Sequence, residues 1–415
     1  MNGTKLYQKL AIVPIVALGL AVAGCNKQAD NGTITPTTTA NTSTTTTTGK
    51  NTTLNYSKNS PLDTSNMFTQ TDLTQTVDTT NAKKITLEDG KDVTIDAAGT
   101  YVITGTAKNS TVIVNASADS EVHLVFDNVS ITNTNKPTVY AVNAKNVYVT
   151  TTQNSTNNLK VTGEFTEDDG NDINAVIFAK TNITLSSLGT LNIDSSANGI
   201  ASNSDLKVTG GTYNVNTTKH GFKALNSIRV ADGTFNINAT KDGFHSENED
   251  DLTTGYVYIA GGNFTINSED DGIQGTSITE IDGGTFDIKA VEGIEGTYVQ
   301  INDGTIKIYA TDDGINASEK ATNYDVQLEI NGGNLDITMA EGDTDALDAN
   351  GTLTINGGYI NITAQFAFDF DLTASLNGGT VIVNGTQVTS ITNSMMEGGE
   401  GPGGQPGQAG FGGPR

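Results

Sequence analysis

The sequence predicts an all-β chain folded as a right-handed parallel β-helix, a solenoid with coils of about 22 residues. The first observation is a phrase that recurs eight times between Gly210 and Val383, as in Gly210-Gly211-Thr212-Tyr213 and Gly283-Gly284-Thr285-Phe286. Its aligned glycines stand at 211, 233, 262, 284, 304, 333, 358 and 379, with a weaker ninth copy at Gly189. The second is that apolar and polar residues alternate after each glycine, as in Thr285-Phe286-Asp287-Ile288-Lys289, which is the pattern of a strand with one buried face. The third is that no repeat carries a sustained apolar stripe of helical period. Units this short cannot hold the four strands of a propeller blade, and they lack the leucine pattern of leucine-rich repeats. Stacked coils with three strands, three corners and right-handed connections remain. The glycines then mark a corner that needs positive φ or close contact between coils.

The elements follow in order along the chain. Residues 1–24 read as an export signal, with Lys5 and Lys9 ahead of the apolar run Leu10 to Val22, which is too short for a stable membrane span. The run closes on Val22-Ala23-Gly24-Cys25, which resembles the lipobox of bacterial lipoproteins. That resemblance implies lipidation at Cys25 and an exported protein whose one membrane contact is its lipid anchor. Cys25 is the single cysteine, so the chain has no disulfide framework and no thiolate metal site. Residues 25–82 are Thr-, Asn- and Ser-rich and read as a flexible tether, because such a composition buries too little apolar surface to offset ordering entropy. Residues 83–393 form the solenoid domain, expected as a monomer, and 394–415 a Gly/Pro-rich tail. Its opening coils are expected at Val93–Ile95, Tyr101–Thr104, Thr111–Val114, Val122–Phe126, Asn146–Thr150 and Asn182–Leu185. A net charge of −25, with Arg229 and Arg415 as the only arginines, excludes nucleic acid as a partner.

A second motif travels with the first. Nine or ten residues after most aligned glycines comes another glycine, preceded by a polar residue, as in Asp242-Gly243, Asp271-Gly272, Glu292-Gly293 and Asp313-Gly314. Equal offset in a solenoid means vertical stacking. Asp242, Asp271, Glu292, Asp313 and Asp345 should therefore form one column, with rungs about 4.8 Å apart. Three residues on, His245, Gln274, Glu295, Asn316 and Asp348 should form a second. Carboxylates about 5 Å apart repel by roughly 3 kcal/mol at an effective dielectric of 20, a cost that a shared cation removes. Dense oxygen donors suit calcium. The alternative is a solvated acidic corner in which Asp-Gly serves the turn.

Two insertions, within His245–Tyr256 and Ile315–Val326, follow the ladder at the same corner. They should fence a trough floored by the acidic columns, in which a sugar chain bridged by calcium could lie. Tyr258, Tyr298 and Tyr309, with Lys289, offer ring faces and a cation for sugar contact. A lyase would need a base drawn from Lys219, Lys223, Lys241 or Arg229, and none of these stands in a distinctive constellation. His123, His220 and His245 lack paired zinc spacing.

Taken together, Val93-Thr94-Ile95-Asp96, Gly99 to Thr104, Val122 to Ile131, Asn174 to Phe178 and the Gly-Gly-x-aromatic and Asp-Gly-Ile series resemble a known family. It is that of secreted bacterial carbohydrate-binding β-helix proteins with the pectate-lyase-like right-handed fold, over roughly residues 83–393. The resemblance implies binding of cellulose or polygalacturonate-like acidic sugars, with calcium between coils. The last coil departs from the pattern at Phe366-Ala367-Phe368-Asp369-Phe370-Asp371. The leading expectation is a non-catalytic, calcium-dependent polysaccharide-binding lipoprotein. A calcium-dependent pectate-type lyase and a structural adhesin are the alternatives.

Overall fold

The computed structural model describes residues 61–166, 173–342 and 344–394. Cys25, the export signal, the tether up to residue 60 and the tail from residue 395 lie outside them. Among the described residues there are 34 strands and no α-helix; one 3-10 turn spans Thr64–Asn66. Apart from a closing antiparallel hairpin of Thr380–Val383 with Thr386–Val388, every strand pairing is parallel.

Each strand pairs with its equivalent one coil later, which divides the wall into three stacked faces. The first face carries Thr190–Ser195, Thr212–Thr217, Thr234–Ala239 and their successors. The second carries Asn198–Ser202, Phe222–Ala224 and Phe244–Ser246, and the third Asp205–Val208, Ser227–Val230 and Tyr256–Ile259. All the expected opening segments are strands, and Lys83–Thr86, Val139–Asn143 and Thr156–Val161 join them.

The alternation explains the interior. Apolar residues of every strand point inward and form one continuous buried cluster from Leu87 to Val381. The aromatic position of the repeated phrase stacks on itself: Tyr213 on Phe235 at 5.3 Å, Phe235 on Phe264 at 4.7 Å and Phe264 on Phe286 at 4.4 Å between ring centroids. Such pairs add to the burial of the rings themselves. At the corner after the phrase's preceding strand, Gly262 sits at φ +121°, where an L side chain is strained. Beside the third face, Asn302, Asn331, Asn356 and Asn377 form an amide ladder, each later amide donating to the one before at 2.8 Å.

The composition-based tether needs correction between residues 61 and 82. This segment lies along the third face instead of standing free. Met67 and Phe68 are buried against Ala231 and Tyr258. The buried Asp72 carboxylate accepts from Thr69 N–H at 2.8 Å, Thr184 Oγ1 at 3.0 Å and Lys207 Nζ at 2.7 Å. Gln75 donates to the Thr209 carbonyl at 2.8 Å and accepts from Ser187 N–H at 3.1 Å. A polar segment can dock in this way because its bonds are to side chains and backbone of the wall, which composition does not register. Asp72→Asn, which keeps the shape but removes the charge, should cost about 2 kcal/mol in urea denaturation. It should also expose residues 61–82 to limited proteolysis.

Candidate functional site

The corner between the first and second faces brings the two predicted columns together. Gly221 N–H donates to the Asp242 carbonyl, Gly243 to Asp271, Gly272 to Glu292 and Gly293 to Asp313, at 2.8–3.0 Å. These bonds place successive acidic residues on successive rungs. Asp313 is in strand register with Asp345. The second column runs Lys223, His245, Gln274, Glu295, Asn316, Asp348 and Asp369 in unbroken register. Close stacking is what the ladder glycines permit: a Cβ on Gly293 would lie 2.4 Å from the Gly314 carbonyl oxygen. The departure in the last coil ends only the first column, where Asp345 faces Phe366. Asp369 continues the second and is capped by the Asn393 amide at 2.7 Å.

Burial and mutual repulsion dominate the electrostatics. Asp271 is pushed up to about 10, first by burial and then by Asp242, Glu295 and Glu292. Burial and Glu295 raise Glu292 to about 7, burial and Asp348 raise Asp313 to about 7, and burial and Asp369 raise Asp348 to about 7. Ligand oxygens of Asp271, Glu292 and Glu295 all lie within 4.8 Å of one another. The Gln274 amide donates to Asp271 at 2.7 Å and to Glu295 Oε2 at 2.5 Å. The Asn316 amide donates to Glu292 at 3.0 Å, while its buried Oδ1 and the buried Oδ1 of Asp348 have no hydrogen-bond partner. Buried acceptors of this kind cost free energy unless something supplies positive charge. The donor set is all oxygen and fits a hard cation such as calcium.

Asp242 behaves differently from the rest of its column. Burial raises it, but His220 and His245 outweigh that and hold it well below the usual carboxylate range. His245 Nδ1 lies 2.5 Å from Asp242 Oδ2, and His245 Nε2 lies 3.1 Å from Glu247 Oε2. His220 Nδ1 lies 3.3 Å from Asp242 Oδ2 and accepts from the Asp242 N–H at 3.3 Å. The pairing that sequence spacing hid is produced by stacking: residues 22 or so apart meet on adjacent rungs.

These groups line a trough of about 350 Å³, bordered also by Lys223, Lys241, Asp270, Glu247 and Lys320. Both insertions contribute, Glu247 from the first and Lys320 from the second. The two loops touch, with Tyr324 Oη donating to the Thr253 carbonyl at 3.3 Å. Lys241 pairs with Asp270 at 2.6 Å and Lys320 with Glu295 at 2.8 Å. A second hollow, lined by Phe178, Ala201, Asn203 and Leu225, adjoins the trough at Lys223 and Glu247. Glu247, Asp270 and Lys320 were not singled out from sequence; the shared corner of the two inserts was the signal that could have found them.

The predicted sugar-contact residues do not gather in the trough. Tyr258 is a correction: it is completely buried beneath Phe68 of the docked segment and donates to Asp282 at 2.9 Å, so it offers no ring face. Tyr298 donates to Glu329 at 2.6 Å on the third face. Tyr309 is 40 % exposed on the first face, with Lys289 Nζ 6.0 Å from its ring centroid. Among the suggested bases, Lys223 and Lys241 border the trough, whereas Lys219 does not. Arg229 is on the third face, paired with Asp205 at 2.8 Å.

Comparison with known proteins adds three findings. The profile of a family described as "Carbohydrate-binding domain-containing protein" matches residues 89–319 and again 291–394. A relative of the same description from Acetivibrio thermocellus is 32% identical over 123 residues, which is 29% of this chain and 43% of the relative. The match thus spans less than half of that protein's length. A solved structure described as a polysaccharide lyase-like protein from C. thermocellum, in a gadolinium derivative, aligns with a TM-score of 0.46 and 25% identity. That alignment covers 64% of this chain and all of the other.

Proposed function

Since the chain belongs to this family of carbohydrate-binding domain proteins, we propose that it is a non-catalytic, calcium-dependent polysaccharide-binding protein. The observation that carries the reading is the double column of buried and half-buried carboxylates, of which Asp271, Glu292 and Glu295 line the trough, with unpartnered buried oxygens on Asn316 and Asp348 further along. Calcium would be held by Asp271, Glu292 and Glu295, and further along by Asp313, Asn316, Asp345 and Asp348. Bound there, it supplies the positive charge that lets an acidic trough accept a polyanionic sugar chain. Lys223, Lys241 and Lys320 on the border add direct partners for sugar carboxylates, so polygalacturonate-like chains are favoured over neutral cellulose. In this reading the solenoid is right-handed and monomeric. It is displayed at the cell surface through a lipid on Cys25 and the tether that follows.

Retention on immobilised polygalacturonate should require calcium, fall to background with chelator, and exceed retention on cellulose. Equal retention with and without chelator would overturn the calcium part, and no retention on any polysaccharide would overturn the whole. A lyase reading draws on the same lysines. Burial lowers Lys320, but Glu295 outweighs that and raises it, and Asp270 raises Lys241, so both amines are protonated and poor proton acceptors near neutral pH. Polygalacturonate incubated with calcium should accordingly give no unsaturated-product absorbance. Turnover that disappears in Lys223→Ala or Lys241→Ala would establish a lyase instead.

A further inference from the structure

The top of the ladder carries a different chemistry from the rest. Two of the chain's three histidines, His220 and His245, meet across Asp242 on adjacent rungs, with rings stacked at 4.3 Å. One nitrogen of each ring and one Asp242 oxygen lie within 4.8 Å of one another. The Asp242 oxygen is 3.3 Å from His220 Nδ1 and 2.5 Å from His245 Nδ1. Ligand atoms about 2.0 Å from a tetrahedral zinc ion stand about 3.3 Å apart, so holding one requires His245 to draw back from Asp242, the stacked rings to turn so that both lone pairs meet at the ion, and His220 Nδ1 to release the Asp242 N–H. The opposite nitrogen of His245 faces Glu247 Oε2 at 3.1 Å. A carboxylate behind a ligating imidazole fixes its tautomer and raises its basicity, an arrangement characteristic of histidine metal sites. All four side chains line the trough, so a further ligand to an ion held by them would come from that side.

We infer that His220, Asp242 and His245 form a site for a zinc-class divalent cation, with Glu247 as positioning residue and the trough side available to a carboxylate or hydroxyl oxygen. This site occupies the rung above the proposed calcium ligands and adjoins them through Asp242, whose Oδ1 accepts from the Asp271 N–H at 3.3 Å, but its nitrogen donors set it apart from the oxygen-only rungs. Imidazole donors favour zinc, nickel and cobalt over calcium, so the two ends of the ladder discriminate between ions.

The test uses the full chain, freed of metal by chelation, titrated with Zn2+ by calorimetry and with Co2+ by visible absorption. One Zn2+ per chain should bind in the presence of millimolar CaCl2. Co2+ should give ligand-field bands of low-symmetry nitrogen coordination that Zn2+ then displaces. His220→Gln or His245→Gln should abolish the bands, and Glu247→Gln should weaken Zn2+ binding about tenfold. Bands absent from the native chain, or Zn2+ displaced by equimolar Ca2+, would overturn the proposal. Zn2+ binding of unchanged affinity in both folded histidine variants would also overturn it. Because the Co2+ spectrum is read on the native chain, a variant that fails to fold leaves the result decisive.

Discussion

Chelated protein will lose stability as pH rises from about 4 to 8, and calcium will restore it. Glu292, Asp313 and Asp348 are held up to about 7 and Asp271 to about 10, by burial and neighbouring carboxylates. Their folded-state values lie above their unfolded ones, so through this window the folded chain binds more protons than the unfolded. Stability therefore declines with rising pH, the reverse of a salt-bridged carboxylate. Glu292 alone, raised from 4.5 to about 7, corresponds to about 3 kcal/mol, and the coupled set exceeds that without being a simple sum. A cation that takes the place of those protons removes the penalty, and its own binding adds linkage stabilisation. Urea denaturation at pH 5 and pH 8, with chelator and with calcium, checks this. Glu292→Gln should stabilise the chelated protein at pH 8 while shrinking the calcium increment. If calcium leaves the pH 8 midpoint unmoved, the ladder is a solvated acidic corner.

The second large effect concerns Gly293→Ala, which should cost about 3 kcal/mol and weaken calcium binding together. The new methyl would sit 2.4 Å from the Gly314 carbonyl oxygen and 2.7 Å from Ile308 Cγ2, so backbone has to move. Overpacking that forces off-rotamer side chains and backbone shifts costs about one to three kcal/mol, and a carbonyl that must give way puts this position at the upper end. Moving it parts Glu292 from Asp313 at the rung where both acidic columns are densest. Thermal melting and calcium calorimetry on one preparation separate the two losses. A variant as stable as the native chain would show that the corner is looser than its contacts indicate.

Much of this was legible in the sequence because a solenoid converts sequence offset into spatial register. Asp271, Glu292 and Asp313 could be stacked on paper, since nothing but a fixed coil length intervenes. The zinc-class trio was hidden by the same arithmetic when applied only locally: His220 and His245 look unpaired at 25 residues' distance, and become neighbours once each is measured from its own glycine. Lys320 and Glu247 lie in insertions, where no offset rule holds. Tyr258 defeated prediction for another reason. Alternation correctly places it outward, but the surface it faces is covered by Phe68, 190 residues earlier in the chain. Docking of that kind leaves no periodic trace.

The docked segment changes how the stack comes apart. In a pile of coils that touch only their neighbours, unfolding frays inward from the ends, one coil after another. Residues 67–75 run lengthwise across that pile and bond to Arg229, Thr209, Lys207, Ser187 and Thr184, which belong to three successive coils. Coils so joined cannot open singly without first releasing the rail that links them. The centre of the solenoid therefore opens as one cooperative block. Amide exchange there should follow a single free energy, while that of the last coils grades toward zero at the end.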